Sequence, residues 1–215
     1  MKLYDFFRSG SSHRLRIALN LKGLAYEQVA VDLRREQHLT GDYKSINPQQ
    51  LVPALDVDGR LMTQSPAIIE WLEERYPDPP LLPADTNDRA HVRALAGIVG
   101  CDIHPVNNRR ILEALRHRFG ADEAAVNDWC GTWIGAGFDA FRSLVEARGC
   151  PGPFACGEQP TLADVYLVPQ IESARRFKVD MARWPRLVTI DVACGRLEAF
   201  RRAAPAAQPD AGWTR

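Results

Sequence analysis

No cysteine precedes Cys101 in this chain of 215 residues. A thiol working in the first part of the chain therefore has to arrive on a ligand. The five cysteines further on (Cys101, Cys130, Cys150, Cys156 and Cys194) form no CxxC pair. An odd set without metal-ligand spacing reads as free thiols in a reducing compartment. Cys101 and His104 are spaced like two zinc ligands, but no second pair answers them, so no metal is expected. No run approaches the length of a transmembrane helix. The start, Met1-Lys2-Leu3-Tyr4-Asp5, carries an acid where a signal peptide would be apolar, which predicts an unprocessed cytoplasmic chain. Charge of one sign is also lacking, since the formal net charge is +0. Neither nucleic acid nor an anionic membrane is an expected partner. Lysine is scarce, with four against 23 arginines. Genomic base composition accounts for such a bias; planar carboxylate recognition is the other reading, to be judged position by position.

The hydrophobic share of 46% is ample for a core, and the length suits one large domain or two small ones. Lys2–Phe7 is β-prone. Leu15, Ile17, Ala18, Leu19 and Leu21 give a helical face that stops at Gly23. Tyr26–Val31 alternates as a second strand, and residues 33–50 are polar and irregular. Leu51–Val57 and Arg60–Thr63 flank Asp58-Gly59, a hairpin signal. Ser65-Pro66 reads as N-cap and first helical residue of a helix running from Ala67 to Tyr76. The order β-α-β, then β-β-α, predicts an α/β domain of thioredoxin-like arrangement over 1–83.

Pro77–Asp88 (PDPPLLPADTND) reads as a linker. Only helix signals follow, so 84–215 is predicted to be all-α. Helices are expected over Arg89–Asp102, Asn107–Phe119 and Asp122–Ala147. The last carries a stripe of Val126, Trp129, Trp133, Ile134, Phe138, Phe141 and Leu144, read as core. Thr161 and Asp164 form a capping-box-like start to a helix reaching Phe177, which assigns Asp164 to capping rather than catalysis. A final helix is expected from Pro185 to Phe200, and Ala203–Arg215 reads as mobile.

The most informative stretch is Phe7-Arg8-Ser9-Gly10-Ser11-Ser12-His13-Arg14. A strand runs through a Gly/Ser hinge into a helix, with hydroxyls and unpaired backbone N–H groups at the helix start. That place suits an anion and lowers the pKa of a thiol. With no cysteine nearby, the thiol is expected to be that of glutathione. One of the three serines is the N-cap in any case. A proline after Val52, between two short strands, signals a turn or a cis bond.

FRSGSSHRLRIAL, NPQQLVPAL, QSPAIIEWLEERYP, LLPAD, TLADVYLVPQ and RFKVD together make the chain resemble the cytosolic glutathione transferases over nearly its whole length. Within them it is similar to the zeta class, the glutathione-dependent maleylacetoacetate and maleylpyruvate isomerases. Ser9 matches the family serine, and Ser11 stands where that class usually has a cysteine, which favours the bacterial maleylpyruvate branch.

The resemblance implies a cis Val52-Pro53 bond, with Val52 pairing the glutathione backbone by strand addition. It gives Gln64 and Ser65 the γ-glutamyl carboxylate, and His38 a further polar contact. Asp102, His104, Asn108, Arg109 and Arg110 match its second binding stretch. The Arg109-Arg110 pair is more charged than usual there and suggests an additional carboxylate. Arg8 and Arg176 are implied as forks for a dicarboxylate substrate, with Arg175 a weaker neighbour. The implied activity is cis–trans isomerisation of a maleyl diketo acid, with Ser9, Ser11, Arg8 and Arg176 in catalytic roles and a homodimer as the assembly. A transferase conjugating small electrophiles, or a non-catalytic protein on the same fold, are the alternatives.

Overall fold

The computed structural model describes residues 1–212. Its elements follow in chain order as β1 (Lys2–Asp5), α1 (Gly10–Leu21), β2 (Glu27–Ala30), α2 (Gly41–Ile46), β3 (Ala54–Val57), β4 (Arg60–Thr63) and α3 (Ser65–Arg75). Then come α4 (Thr86–Gly97), α5 (Arg109–Phe119), α6 (Glu123–Arg148), α7 (Leu162–Arg176), α8 (Pro185–Gly195) and α9 (Glu198–Ala203). The chain forms two compact units: Met1–Leu81 with the segment from Gly195 on, and Leu82–Cys194.

The first unit is built on a four-stranded sheet of order β2-β1-β3-β4. β1 runs parallel to β2 and antiparallel to β3, with Leu3 opposite Gln28 on one side and Leu55 on the other. The crossover from β1 to β2 is α1, as a parallel pair requires. The hairpin turns at Asp58 and Gly59, both at positive φ (53° and 83°), the condition that favours Asp-Gly there. Leu15, Ile17, Ala18 and Leu19 of α1 and Ile68, Ile69 and Leu72 of α3 are buried with Leu3 and Leu55. A smaller cluster of Phe6, Val31, Tyr43 and Val52 gathers around the turn after β1. The expected irregular stretch 33–50 is more ordered than its composition suggests. It holds two short 3₁₀ turns and α2, which Thr40 caps by accepting from the Tyr43 N–H.

In the second unit α4 continues into a π-helical turn, Ile98–Ile103. There α6 passes so close that a Cβ at Gly137 would overlap the Ile103 side chain. The α6 stripe is core in part only. Val126, Ile134, Phe138 and Phe141 are buried, whereas Trp133 and Leu144 are exposed and Val145 takes the inner position. Helical spacing places a stripe only to within one residue. Trp184, fully buried, donates its indole N–H to Asp139 Oδ1 (2.8 Å) and meets Phe138 edge-on.

The expected final helix breaks at Arg196 and Leu197 into α8 and α9. The expectation of a mobile tail is corrected up to Gly212; residues 213–215 lie outside the described part. Two 3₁₀ turns, Pro205–Ala207 and Pro209–Gly212, follow α9, and Gln208 and Asp210 are buried. The segment from Gly195 on, expected within the helical domain, packs with the first unit instead, α9 lying along α1. Contacts with partners so far away in sequence leave no local signal.

Candidate active site

The first unit gathers its polar groups at two helix starts. Ser9 is the N-cap of α1, with extended backbone, and its Oγ accepts the Ser12 N–H (3.2 Å). That bond uses a lone pair and leaves the Ser9 proton to donate. A neighbouring acceptor hydroxyl is Ser11 Oγ at 3.4 Å. Ser11 in turn donates to the Val52 carbonyl (3.3 Å), which commits its proton. Capping and donation to a sulfur are therefore compatible at Ser9, and Ser9 is the better donor of the two. The Phe6–Ser9 turn that presents it is closed by Ser9 N–H to Phe6 C=O (2.9 Å). Arg8, exposed, has its guanidinium beside the Phe7 ring, 5.9 Å from the centroid.

Val52 is buried, and its bond to Pro53 is cis. The loop before it is held from behind. Tyr43 Oη and Asn47 Nδ2 both donate to the Leu51 carbonyl at 2.7 Å, and Asn47 Oδ1 accepts the Gln49 N–H (3.0 Å). Burial pushes the Tyr43 phenol up well beyond its usual value, so it stays protonated and donating. In the NPQQLVP stretch the proline gives a signal in the sequence, whereas the part played by Asn47 is visible only in the fold.

At the second helix start the sequence expectation needs one correction. Ser65 does not cap α3. Gln64 occupies the cap position, at φ 67° and ψ 104°, and makes no side-chain cap bond. A non-glycine residue in that conformation is strained, and such strain concentrates at binding sites. Ser65 is the first helical residue, 3% exposed, and its Oγ accepts from Arg14 Nη1 (3.4 Å). A buried arginine behind a serine at a helix start without a side-chain cap is an arrangement with the donors and positive charge that suit a carboxylate. Sequence reading missed Arg14, since one more arginine in an arginine-rich helix gives no signal. Gln64 donates its amide to Gln49 Oε1. His38 sits half-buried in the 3₁₀ turn Gln37–Leu39, which Gln50 Nε2 ties to the same loop by donating to Leu39 C=O (3.3 Å).

In the second unit the candidates Asp102, His104, Asn108, Arg109 and Arg110 follow one another from the π-turn into α5. π-turns in helices recur at functional sites. Asp102, Arg109 and Arg110 are exposed, His104 and Asn108 half-buried. Asn108 caps α5 by accepting the Arg110 N–H (3.2 Å), and Arg109 reaches Glu113 at 3.9 Å. Two arginines in the first turn oppose the helix dipole, which suits an anion there better than it suits the helix. Trp129 holds this turn by donating to the Val106 carbonyl (3.0 Å). Arg176 ends α7, exposed, its Nη2 donating to Ser173 Oγ (3.0 Å) and its guanidinium 4.9 Å from the Phe177 ring centre. Burial pushes the Cys130 thiol up to about 11, opposed by the charges of Arg176 and Arg116. Arg175 is engaged with Asp191 at 2.6 Å. Asp164 caps α7, accepting from the Thr161 N–H (2.8 Å) and hydroxyl (3.1 Å) and from the Ala155 N–H (2.9 Å).

Residues 3–80 match the family model for the N-terminal domain of glutathione S-transferases. Maleylpyruvate isomerase of Ralstonia sp is 66% identical over 210 residues, covering 98% of this chain and 99% of the relative. A solved holo structure of a maleyl pyruvate isomerase, described as a bacterial zeta-class glutathione S-transferase, superposes with a TM-score of 0.97 at 66% identity, covering 98% of this chain and 99% of that one. The chain belongs to the zeta class of glutathione transferases. A further solved neighbour, the maleylacetoacetate isomerase of Methylobacterium extorquens AM1 with bound malonate and glutathione, has a TM-score of 0.94 at 36% identity, covering 99% of this chain and all (100%) of that one. Membership accounts for the thioredoxin-like sheet followed by a helical unit. Among the described residues no helix is long and apolar enough to cross a membrane.

Proposed function

We infer that this chain is a glutathione-dependent cis–trans isomerase of a maleyl diketo acid, turning maleylpyruvate into fumarylpyruvate or maleylacetoacetate into fumarylacetoacetate in aromatic catabolism. The observation that carries it is the 66% identity, over 98% of the chain, to a maleylpyruvate isomerase, together with a first unit that offers thiol-stabilising hydroxyls and no cysteine.

The residues fit glutathione. The uncapped start of α3, with strained Gln64 and with Ser65 backed by Arg14, suits the γ-glutamyl carboxylate. Val52 offers its backbone to the cysteinyl peptide, and Ser9 and Ser11 at the start of α1 suit the sulfur. His38, and from the second unit Asp102, His104, Asn108, Arg109 and Arg110, are the remaining cofactor contacts in this reading. When bound, glutathione supplies the thiolate that adds to the cis double bond and leaves once that bond has turned.

The chain's own task is electrostatic. Ser9 donates its proton toward the sulfur and, with the positive end of α1, favours the anionic form near neutral pH. Arg8 and Arg176, assigned by the family pattern, grip the substrate's carboxylates as forks and offset the negative charge that develops on its carbonyl oxygens. Arg109 and Arg110 add carboxylate binding. Malonate in the Methylobacterium relative is a small dicarboxylate, which supports that substrate class. We further propose a homodimer working in the cytoplasm; light scattering on the purified protein tests the assembly.

The deciding experiment follows isomerisation of maleylpyruvate and maleylacetoacetate with and without glutathione. Turnover is expected only with glutathione, which is recovered unchanged. Undiminished isomerisation in thiol-free buffer would sink the mechanism, and net consumption of glutathione would favour a conjugating transferase.

A further inference from the structure

Phe7 lies two residues before Ser9, and both of its backbone polar groups are held by residues outside the turn. Its N–H donates to Asp210 Oδ2 (2.9 Å), from the far end of the chain, and its carbonyl accepts from Arg16 Nη2 (2.9 Å). Arg16 is fully buried. It also donates through Nη1 to both Asp5 carboxylate oxygens (2.8 and 2.7 Å) and through Nε to the carbonyl of Ala203, at the end of α9 (2.9 Å). The C-terminal segment thus grips the turn directly at Asp210 and, through Arg16, at Ala203. The segment is itself locked, since Gln208 Nε2 donates to the carbonyls of Arg202 (2.7 Å) and Ala204 (2.8 Å).

Asp210 is an expensive residue for this place. It is fully buried, and its Oδ1 has no hydrogen-bond partner among the described residues. Burial raises its carboxyl pKa, with Asp5 adding to the rise and Arg16 opposing it. Arg34 also feels its charge. A buried polar atom left unpaired is destabilising, so stability alone would favour an uncharged residue.

We propose that residues 198–212 act as a strap on the active-site turn, with Asp210 as a positioning residue for Ser9. Fixing the Phe7 peptide fixes where the Phe6–Ser9 turn delivers the Ser9 hydroxyl. A small displacement there weakens a hydrogen bond to sulfur steeply while leaving the α3 carboxylate site alone. The effect is therefore expected on the thiol and not on glutathione affinity.

This inference rests on the glutathione reading above, and its test needs no isomerase substrate. Asp210→Leu removes the acceptor while keeping the γ-branched outline of the side chain, and Asp210→Asn keeps an oxygen for the Phe7 N–H. Thiolate absorbance of bound glutathione is titrated against pH, and glutathione Kd is measured by calorimetry. Asp210→Leu is expected to raise the bound thiol pKa by ~0.5 unit or more, about a threefold loss of thiolate, with Kd little changed. Asp210→Asn is expected to restore it. A folded Asp210→Leu protein with the wild-type midpoint overturns the proposal, as does an Asn variant no better than Leu. Where Asp210→Leu does not fold, Gln208→Ala loosens the strap from its far side and must move the midpoint upward; no movement overturns the proposal. Wild-type protein that binds glutathione yet isomerises neither maleyl acid sinks the isomerase reading and leaves the titration decisive. Wild-type protein that binds no glutathione overturns both.

Discussion

Single residues carry two of the sharpest expectations. The Ser9 hydroxyl accepts from the Ser12 N–H, and its own proton meets only the long 3.4 Å contact to Ser11 Oγ, which a sulfur acceptor can replace. Ser9→Ala is expected to raise the pKa of bound glutathione, because a donor to the anionic form is lost. Titrating thiolate absorbance checks it, and an unchanged midpoint would reduce Ser9 to a helix cap. Arg176 carries the other. Replacing its planar fork by an ammonium in Arg176→Lys is expected to cost about 1.5–3 kcal/mol of a charge-assisted pair, roughly tenfold or more in kcat/KM. Glutathione affinity and any conjugation of an uncharged electrophile should stay nearly unchanged. Steady-state kinetics with both substrates makes the comparison, and equal losses would show that Arg176 supports the site generally. Ser9 was readable in advance because hinge, hydroxyls and helix start are consecutive in sequence. Arg14 was not, since its partner Ser65 stands on another helix.

Among the elements, the start of α7 offers a test by pH. Asp164 is buried and its carboxyl pKa is pushed up to about 6 by desolvation, against hydrogen bonds from Thr161, Ala155 and its own backbone that pull it down. In the unfolded chain the group titrates near 3.9. The fold therefore holds the proton more tightly than the unfolded chain does. The resulting stability is fully present below about pH 4 and is lost as pH rises through about 6, on the order of 3 kcal/mol. Asp164→Asn has no such titration, so wild type should lose stability relative to it between pH 4 and 7. Urea unfolding of the pair across that range measures the difference, and a gap constant with pH would contradict the raised value. The Thr161–Asp164 spacing was legible because capping is local. The partition of the α6 stripe, with Trp133 outside and Val145 inside, was not, because a periodic pattern marks a face without its edges.

On the scale of the whole molecule, a ligand that binds only the folded state stabilises it by mass action. Glutathione at about a hundred times its Kd is expected to add about 2.7 kcal/mol and to raise the thermal midpoint. A tripeptide capped at its γ-glutamyl carboxylate should do much less, because the α3 start and Arg14 are then without their anion. A thermal-shift series with both ligands decides the point, and equal shifts would remove the carboxylate from that helix start. Zero net charge fits a small anionic ligand held by local arginines, with no long-range field needed to collect it.

The order of strands and helices, the Asp58-Gly59 turn, the Thr161–Asp164 cap and the anion-suited helix start at Ser9 followed from the amino-acid sequence by itself. Each depends on residues a few positions apart, where backbone preference and capping act. Which residues stand behind the site was decided by tertiary structure alone. Arg14 reaches Ser65 across 51 positions, Asn47 and Tyr43 set the carbonyl before Val52, and Asp210 reaches Phe7 across 203. The tail reads as Ala/Pro-rich and loose until its partners are in view. Its order comes from burial against α1 and from Arg16, and no pattern along the chain encodes a contact between its two ends.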